Sequence, residues 1–537
     1  TWTTNSLTET RNDDYNVTSQ AIANYMGTFG SHNLTVMAGF ENYYMKSESL
    51  GAARDKYELT GYPYLNIGSE DFQTNSGTGS EYTSNSVFGR VIYSYADRYL
   101  FQANVRHDGS SRFAKGYRWG TFPSFSAGWV ASEEKFMKNL KWDWLSFLKL
   151  RGSWGMLGNE RIGSNYFPYI ALMSFGNSLF YMADGSVVSD KTARPAVLAV
   201  EDITWETTTS TDLGLDVNFL NNRLQFHFDY YWKETKDMLL NIEIPYFMGY
   251  NNPSTNAGKM STHGYDIEVA WNDQIGDFKY DINVNFSDFL SKIDYMNDGE
   301  QISGGKIKRA GVLFNEFYGY VCEGIYQTQE EVNNSARTST TVTVGDLKYR
   351  DISGPDGVPD GVISPEYDRV PLGNSLPRFQ YGGSLNASYK GIDFSLAFQG
   401  IGKQNSYLST SMVQPLRDNY GNVPAILEGK YWSPFNTTEE NLAAKYPRLS
   451  NVSKSNNYAT SSFWMFNGSY FRLKNITLGY TLPKSWTQKA GINRARFYVS
   501  GSDLFCLSNF PSGWDPEMGT SDYPITTSLV MGIQVNF

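Results

Sequence analysis

The feature that most constrains this chain is a two-residue alternation of apolar and polar side chains that recurs from end to end. In DFKYDINVNFSDF, Phe278, Tyr280, Ile282, Val284 and Phe286 alternate with Lys279, Asp281, Asn283, Asn285 and Ser287. In NRLQFHFDYYWKE, Leu224, Phe226, Phe228, Tyr230 and Trp232 alternate with Arg223, Gln225, His227, Asp229 and Tyr231. In KGIDFSLAFQG the apolar set is Ile392, Phe394, Leu396 and Phe398. The chain ends in LVMGIQVNF, with Leu529, Met531, Ile533, Val535 and Phe537 on one side. Side chains along a strand point alternately to opposite faces, so each segment reads as a strand with one oily and one wet face. About fifteen such segments can be counted, each roughly ten residues long, against the five or six usual in soluble sheets.

Two architectures absorb this pattern. A soluble sandwich turns the oily faces inward; a membrane barrel turns them outward into lipid and lines its interior with the polar faces. The strand lengths suit a tilted membrane crossing, full charges and amides stand at mid-strand, and aromatic residues crowd the strand ends, where a bilayer interface favours them. The composition fits: 38 Tyr, 33 Phe and 49 Gly, with only 19% charged residues. No run of apolar residues is long enough for a membrane helix, and TWTTNSLTET is not a secretory leader. The net charge of -10 argues against nucleic acid as a partner. Cys322 and Cys506 are too few for a disulfide framework and read as unpaired thiols.

The connectors sharpen the choice. Short turns fall at Ser31, Asp97, Asn221, Gln274 and Lys390, and long segments at 49–81, 157–201, 238–259, 291–375 and 403–467. An outer-membrane barrel has short periplasmic turns and long exterior loops, and this rhythm is hard to obtain from a sandwich. The expected fold is therefore all-β: a transmembrane antiparallel β-barrel with long extracellular loops. The last strand is expected to close the barrel against a first strand, because an open edge in lipid is not tolerated. The first and last counted strands run the same way, so TWTTNSLTET is read as the top of one further strand, and the chain as starting within a barrel.

Several phrases resemble the SusC/RagA family of TonB-dependent outer-membrane transporters of Bacteroidetes. They are FGRVIYSYADRYLFQANVRHDGSSRFAKGYRWGTFPSFSAGWVASEEKF (88–136), LKLRGSWGMLGN (148–159), WETTTSTDLGLDVNFLNNRLQFHFDYYWKETKDML (205–239), FYGYVCEGIYQT (317–328), GDLKYRDISG (345–354), SYFRLKNITLGYTLP (469–483) and the terminal GIQVNF. The resemblance implies a barrel of about 22 strands enclosing a plug, of which this chain supplies about 15–16 as its C-terminal part, the plug and other N-terminal segments being absent. It implies a place in the bacterial outer membrane, surrounded by lipid. It also implies active import, powered through the TonB complex by way of the absent N-terminal part, with a SusD-like surface lipoprotein capping the exterior. The implied cargo is oligosaccharide, with oligopeptide as the alternative, and a dimer of transporter–lipoprotein pairs is the implied assembly. No enzymatic activity is expected. A passive porin, a barrel enzyme or adhesin, and a soluble secreted β-protein are the rival readings.

Candidate sites are few. GDLKYRDISGPDGVPDGVIS carries Asp346, Asp351, Asp356 and Asp360 on a Gly-turned segment, a chemistry that can hold Ca²⁺. The spacing is not an EF-hand, since the sixth position from Asp351 is not Gly and the twelfth is not Glu. A structural Ca²⁺ is thus the one candidate ion, and no cofactor is required; the other reading is a solvated acidic turn. Exterior segments are rich in rings, among them Tyr166, Phe167, Tyr169, Tyr246, Tyr250, Tyr431, Trp432 and Trp464. Such rings stack on sugars or pack against a partner protein, and equally pack the loops on each other. His107 to Ser111 form a strand-to-loop turn rather than a nucleophile and base, and four scattered histidines make no metal motif.

Overall fold

The structure, a computed structural model, describes residues 5–537 except 60, 141, 163–165, 172, 298, 411–412, 417–422, 424 and 520–522. Among the described residues, fifteen strands form one sheet: β1 (Ser6–Phe29), β2 (His32–Asp55), β3 (Gln73–Tyr95), β4 (Tyr99–Ser110), β5 (Trp119–Val130), β6 (Leu145–Asn159), β7 (Glu206–Phe219), β8 (Leu224–Asn241), β9 (Ser254–Ile275), β10 (Phe278–Met296), β11 (Arg378–Tyr389), β12 (Ile392–Lys403), β13 (Tyr470–Thr481), β14 (Arg494–Ser508) and β15 (Ser528–Asn536). Neighbours in the sheet are neighbours in the chain. The pairings from β1 to β5 and from β10 to β15 are antiparallel. The short turns hold positive φ at Gly30, Ala96, Asp97, Asn221, Asn222, Gly276, Lys390 and Gly391, the backbone that tight hairpin turns demand.

The register carries the alternation across strands. Met37, Arg90, Asn104 and Ser124 stand opposite one another on β2 to β5, and the adjacent row is Val36, Val91, Ala103 and Phe125. One face of this sheet is polar and the other apolar, as the sequence pattern requires.

Three expectations change. The segment 49–81 reads as a loop in the sequence, yet β2 and β3 stay paired out to Arg54 and Gln73, so the strands run to 24 and 23 residues. QTNSGTGSE has no apolar face; backbone pairing with β2 holds it, and pairing leaves no mark in a hydropathy pattern. Of TWTTNSLTET, Ser6 onward belongs to β1 rather than to an additional strand, and residues 1–4 lie outside the described set. Among the described residues β1 and β15 occupy opposite ends of the strand order, so the expected pairing of last strand with first is not found there.

The chain divides into two compact units. Unit 1 comprises Thr1–Glu134, Leu150–Leu213 and Lys233–Met260. Its core of Phe113, Phe122, Ile162, Ile203 and Trp205 lies where the long connectors leave the strands. Unit 2 comprises Lys135–Lys149, Gly214–Trp232 and Ser261–Phe537. Here the long connectors are folded rather than loose. Glu300–Ser303, Lys306–Arg309, Glu316–Tyr320 and Arg369–Asn374 form a four-stranded sheet, and Cys322–Ile325 pairs with Leu347–Tyr349. Asn405–Tyr407 pairs with Met465–Asn467. The two connectors share a core in which Tyr320, Leu347, Tyr349 and Ile363 pack with Ala459 and Phe463.

Candidate functional site

The polar face of β2 to β5 in unit 1 gathers hydrogen-bonding side chains around a cavity. Its rows contain Gln102, Asn104, Arg106 and Asp108 on β4 because every second residue of that strand is hydrophilic. Arg106 donates to Asp108 at 2.7 Å, to Glu41 at 3.1 Å and to Ser86 at 2.8 Å. Gln20 in turn donates to Glu41. Asn104 donates to Ser124 at 3.1 Å and accepts from Gln102 at 3.4 Å. Gln102, Asn104, Arg106, Asp108 and Ser124 border an open cavity of about 720 Å³, to which Ser126, Ser153 and Ser210 add hydroxyls. That volume lies within the range of small-molecule sites. The arrangement can exchange hydrogen bonds with a hydroxylated or amide-bearing guest; nothing in it supplies a nucleophile with a base.

A second cluster of unit 1 stands near the long-connector side. Tyr166 lies half-buried, its ring 4.4 Å from the Arg112 guanidinium and 6.2 Å from the Tyr82 ring. Tyr82 donates its hydroxyl to Glu160. Tyr169 reaches the Ser111 carbonyl at 3.5 Å. Of the expected rings, Tyr166 and Tyr169 are therefore fixed at the root of the connectors, with Phe167 half-buried between them in sequence. Tyr250 is half-buried beside Asn251, which bridges to Val197. Tyr246 stands in a single 3-10 turn, and its side chain lies outside the described residues.

The rings expected in unit 2 are buried or half-buried in the connectors. Trp464 is 0% exposed, packed with Leu408, Val413 and Phe510, and donates its indole N–H to the Asn457 carbonyl at 2.7 Å. Trp432 is buried against Gly345, where an added Cβ would meet its ring at 2.3 Å. Tyr431 is half-buried and bridges to Tyr446. These three pack the connectors on one another, the arrangement expected where large rings in long segments of low charge are buried by their own loops.

The four aspartates do not make one cage. Asp346 is completely buried and paired with Arg448 at 2.7 Å, with Ser453 at 2.8 Å and Asn457 at 3.0 Å donating to it as well. Asp351 accepts from the Gly361 N–H at 2.7 Å and Asp360 from the Val362 N–H at 3.0 Å, while Asp356 is exposed. Among the described residues no group of three or more His, Cys, Asp or Glu is placed to hold a metal ion. Asp346 is engaged by an arginine 102 residues further along, and Asp351 and Asp360 accept from backbone N–H groups of the same segment.

Electrostatics in the connectors of unit 2 follow burial. The Cys322 thiol is pushed up to about 11 by burial, and Tyr326 to about 12 by burial first and the Glu331 charge second. Burial also raises Glu316. For Glu331 burial acts upward, but the Gln327 N–H and the Lys348 ammonium at 3.1 Å outweigh it and leave the carboxyl below its ordinary range. Cys322 and Cys506 are both free thiols.

One further feature has no counterpart among the residues singled out by spacing. Arg472 on β13 is 3% exposed, with Glu517 at 2.6 Å, Asp503 at 3.8 Å and Asp515 within hydrogen-bonding distance. Asp515 and Glu517 belong to the connector after β14, so a buried arginine ties that connector to the sheet. The signal lay in WDPE after a long strand, but its partner could not be read from spacing.

The sequence of residues 1–500 matches the family model described as TonB dependent receptor-like, beta-barrel. The chain is 30% identical over 560 residues to TonB-dependent receptor P3 of Formosa agariphila, covering 97% of this chain and 52% of that protein. It is 28% identical to TonB-dependent receptor SusC of Bacteroides thetaiotaomicron, covering 97% of this chain and 50% of that one. The chain thus spans about half the length of the curated relatives it matches. Among solved structures it superposes on the RagAB peptide transporter with a TM-score of 0.79 at 24% identity, covering 99% of this chain and 56% of that chain.

Proposed function

Since this chain belongs to the TonB-dependent receptor β-barrel family, as an outer-membrane protein of SusC/RagA type, we propose that it forms the wall and exterior surface of an importer for oligosaccharides. The observation that carries this is the two-faced wall: an apolar face suited to lipid, and a polar face whose cavity is bordered by Gln102, Asn104 and serine hydroxyls. Amides and hydroxyls exchange hydrogen bonds with sugar hydroxyls without demanding a charge. In this reading a SusD-like lipoprotein covers the exterior connectors and the TonB complex supplies the energy. No covalent step on the cargo is involved.

The likeness to RagAB, a peptide transporter, favours a second reading in which the cargo is an oligopeptide. One experiment addresses both. The complete protein is purified from its outer membrane in mild detergent, co-purifying proteins are identified by mass spectrometry, and uptake of labelled oligosaccharides and oligopeptides is measured in cells with and without TonB. A co-purifying surface lipoprotein with TonB-dependent oligosaccharide uptake is the expected result. TonB-dependent uptake of peptides alone moves the second reading forward. Uptake that persists without TonB sinks both.

A further inference from the structure

We propose that the short-turn rim of β12 to β15 binds an anionic phospholipid, with acyl chain in a groove on the outward face and phosphate against Lys484, Lys489 and Arg494.

Most connectors on the short-turn side are tight turns, as at Gly30, Ala96, Asn221, Gly276 and Lys390. The connectors 131–144 and 482–493 are longer and contain short helices, Lys135–Leu140 and Lys484–Thr487. Both expose tryptophan, Trp142 and Trp144 in the first and Trp486 in the second. They differ in charge. In 131–144, Glu133, Glu134 and Asp143 offset Lys135, Lys138 and Lys141. From 482 to 502 the chain has no Asp or Glu, yet it carries Lys484, Lys489, Arg494 and Arg496. Arg496 donates to Asp393 at 2.9 Å, whereas Lys484, Lys489 and Arg494 are exposed.

These cations stand at the edge of an apolar groove. The Thr481 N–H donates to the Gly391 carbonyl at 2.7 Å, that of Leu482 to Ala495 at 2.9 Å and that of Asn493 to Asn536 at 2.8 Å. The connector is thereby held level with the ends of all four strands. In the row nearest the rim Ile392, Tyr480, Phe497 and Ile533 stand opposite one another. With Val499 and Met531 of the next outward row they line an open groove of about 910 Å³. These side chains are the apolar, outward set of the alternation, so the groove faces hydrocarbon. A strand pairing with β15 extends the wall sideways, and a plug fills the inside; neither covers an outward face.

Hydrocarbon wets such a groove whatever the lipid. Selection comes from the rim, where each Lys or Arg close to anionic head groups favours binding roughly fivefold. Tyr480 and Trp486 add rings of the type that sits where head groups meet hydrocarbon. The connector 131–144 has the rings without the net charge, and so anchors without selecting. The inference goes beyond the import reading and is independent of the cargo.

The test uses the complete protein, extracted in mild detergent and exposed to equal amounts of phosphatidylglycerol and phosphatidylcholine. Bound lipid is counted by native mass spectrometry. The wild type should retain phosphatidylglycerol at least about tenfold more tightly than phosphatidylcholine. The triple variant Lys484→Gln, Lys489→Gln, Arg494→Gln should lose that preference, and Lys135→Gln with Lys138→Gln should keep it. Val499→Trp, which fills the groove and leaves the charges alone, should weaken retention of both lipids several-fold. Retained heat-modifiable migration in gels shows that each variant is folded. Equal retention of the two lipids by the wild type overturns the proposal, as does an undiminished preference in the triple variant. A preference lost equally in the Lys135, Lys138 variant also overturns it, since the selection is then not local to this rim. In lipid nanodiscs, Lys484 and Lys489 should acetylate more slowly with phosphatidylglycerol than with phosphatidylcholine. Equal protection in both means that protein covers the rim, and overturns the lipid assignment.

Discussion

Unit 2 holds two populations of large apolar side chains that differ chiefly in what surrounds them. On β15, Met531 and Ile533 are 75% and 64% exposed. In the connectors that leave the same sheet, Trp464 and Leu347 are 0% and 1% exposed. Both sets are removed from water, the first by hydrocarbon in the membrane and the second by protein. The strands alternate because their two faces meet two different media. The connectors do not alternate because they are packed from several directions, and their polar groups must find partners inside. Asp346 with Arg448, Ser453 and Asn457, and Asn456 with the Leu347 carbonyl, are those partners.

The contrast can be broken most severely at Asp346. Asp346→Ala strands the Arg448 guanidinium in a buried network, a change worth about 3–5 kcal/mol where one partner of a buried pair is lost. The expected outcome is rapid protease cleavage within 297–377 and 404–469 of the membrane-embedded protein, with the strand content seen by circular dichroism retained. Resistance equal to wild type would show that the connectors do not depend on this network.

The complementary break is on the sheet. Met531→Arg places a charge on the lipid-facing side of β15 and should cost about 2–4 kcal/mol near the bilayer midplane. Val530→Arg, one residue away on the opposite face, should cost much less. Folded yields in lipid vesicles compare the two, and equal losses would argue against a lipid-facing apolar side.

Cys322 reports on the connector core without altering it. With the thiol pushed up to about 11, the reactive thiolate at pH 8 is roughly a hundredfold scarcer than for an ordinary cysteine. Maleimide should label it correspondingly slowly in the native protein and quickly in Asp346→Ala. Fast labelling of the native chain would contradict the burial.

The smallest effect concerns pH. The lowered Glu331 carboxyl contributes stability that is present above its unfolded value of 4.5 and lost as pH falls through its lower folded value. The group is partly solvated, so the contribution is below about 1 kcal/mol. Glu331→Gln should therefore narrow the difference in connector protease resistance between pH 6 and pH 3. An unchanged difference would remove Glu331 from the account.

Strands with a strong two-residue pattern, such as those through Phe286, Phe398 and Ile533, were legible in the sequence, and so was the short-turn side. The outer reaches of β2 and β3 were not, because a polar ladder is held by backbone pairing that side-chain periodicity does not encode. The candidate site divided in the same way. Polar mid-strand residues announced a wet face, but nothing along the chain marked Arg106 as the residue that Asp108 and Glu41 both bind. Nor did anything separate Asp346 from Asp351, Asp356 and Asp360, since what separates them is Arg448, brought in from another connector.

The sequence by itself determined a two-faced sheet of long strands with turns and connectors in alternation, because side-chain direction along a strand has a fixed period. Only the tertiary structure decided which aromatics are buried and which aspartate is paired with a distant arginine. Each of those depends on a partner far away in the chain, and no local pattern carries the identity of a distant neighbour.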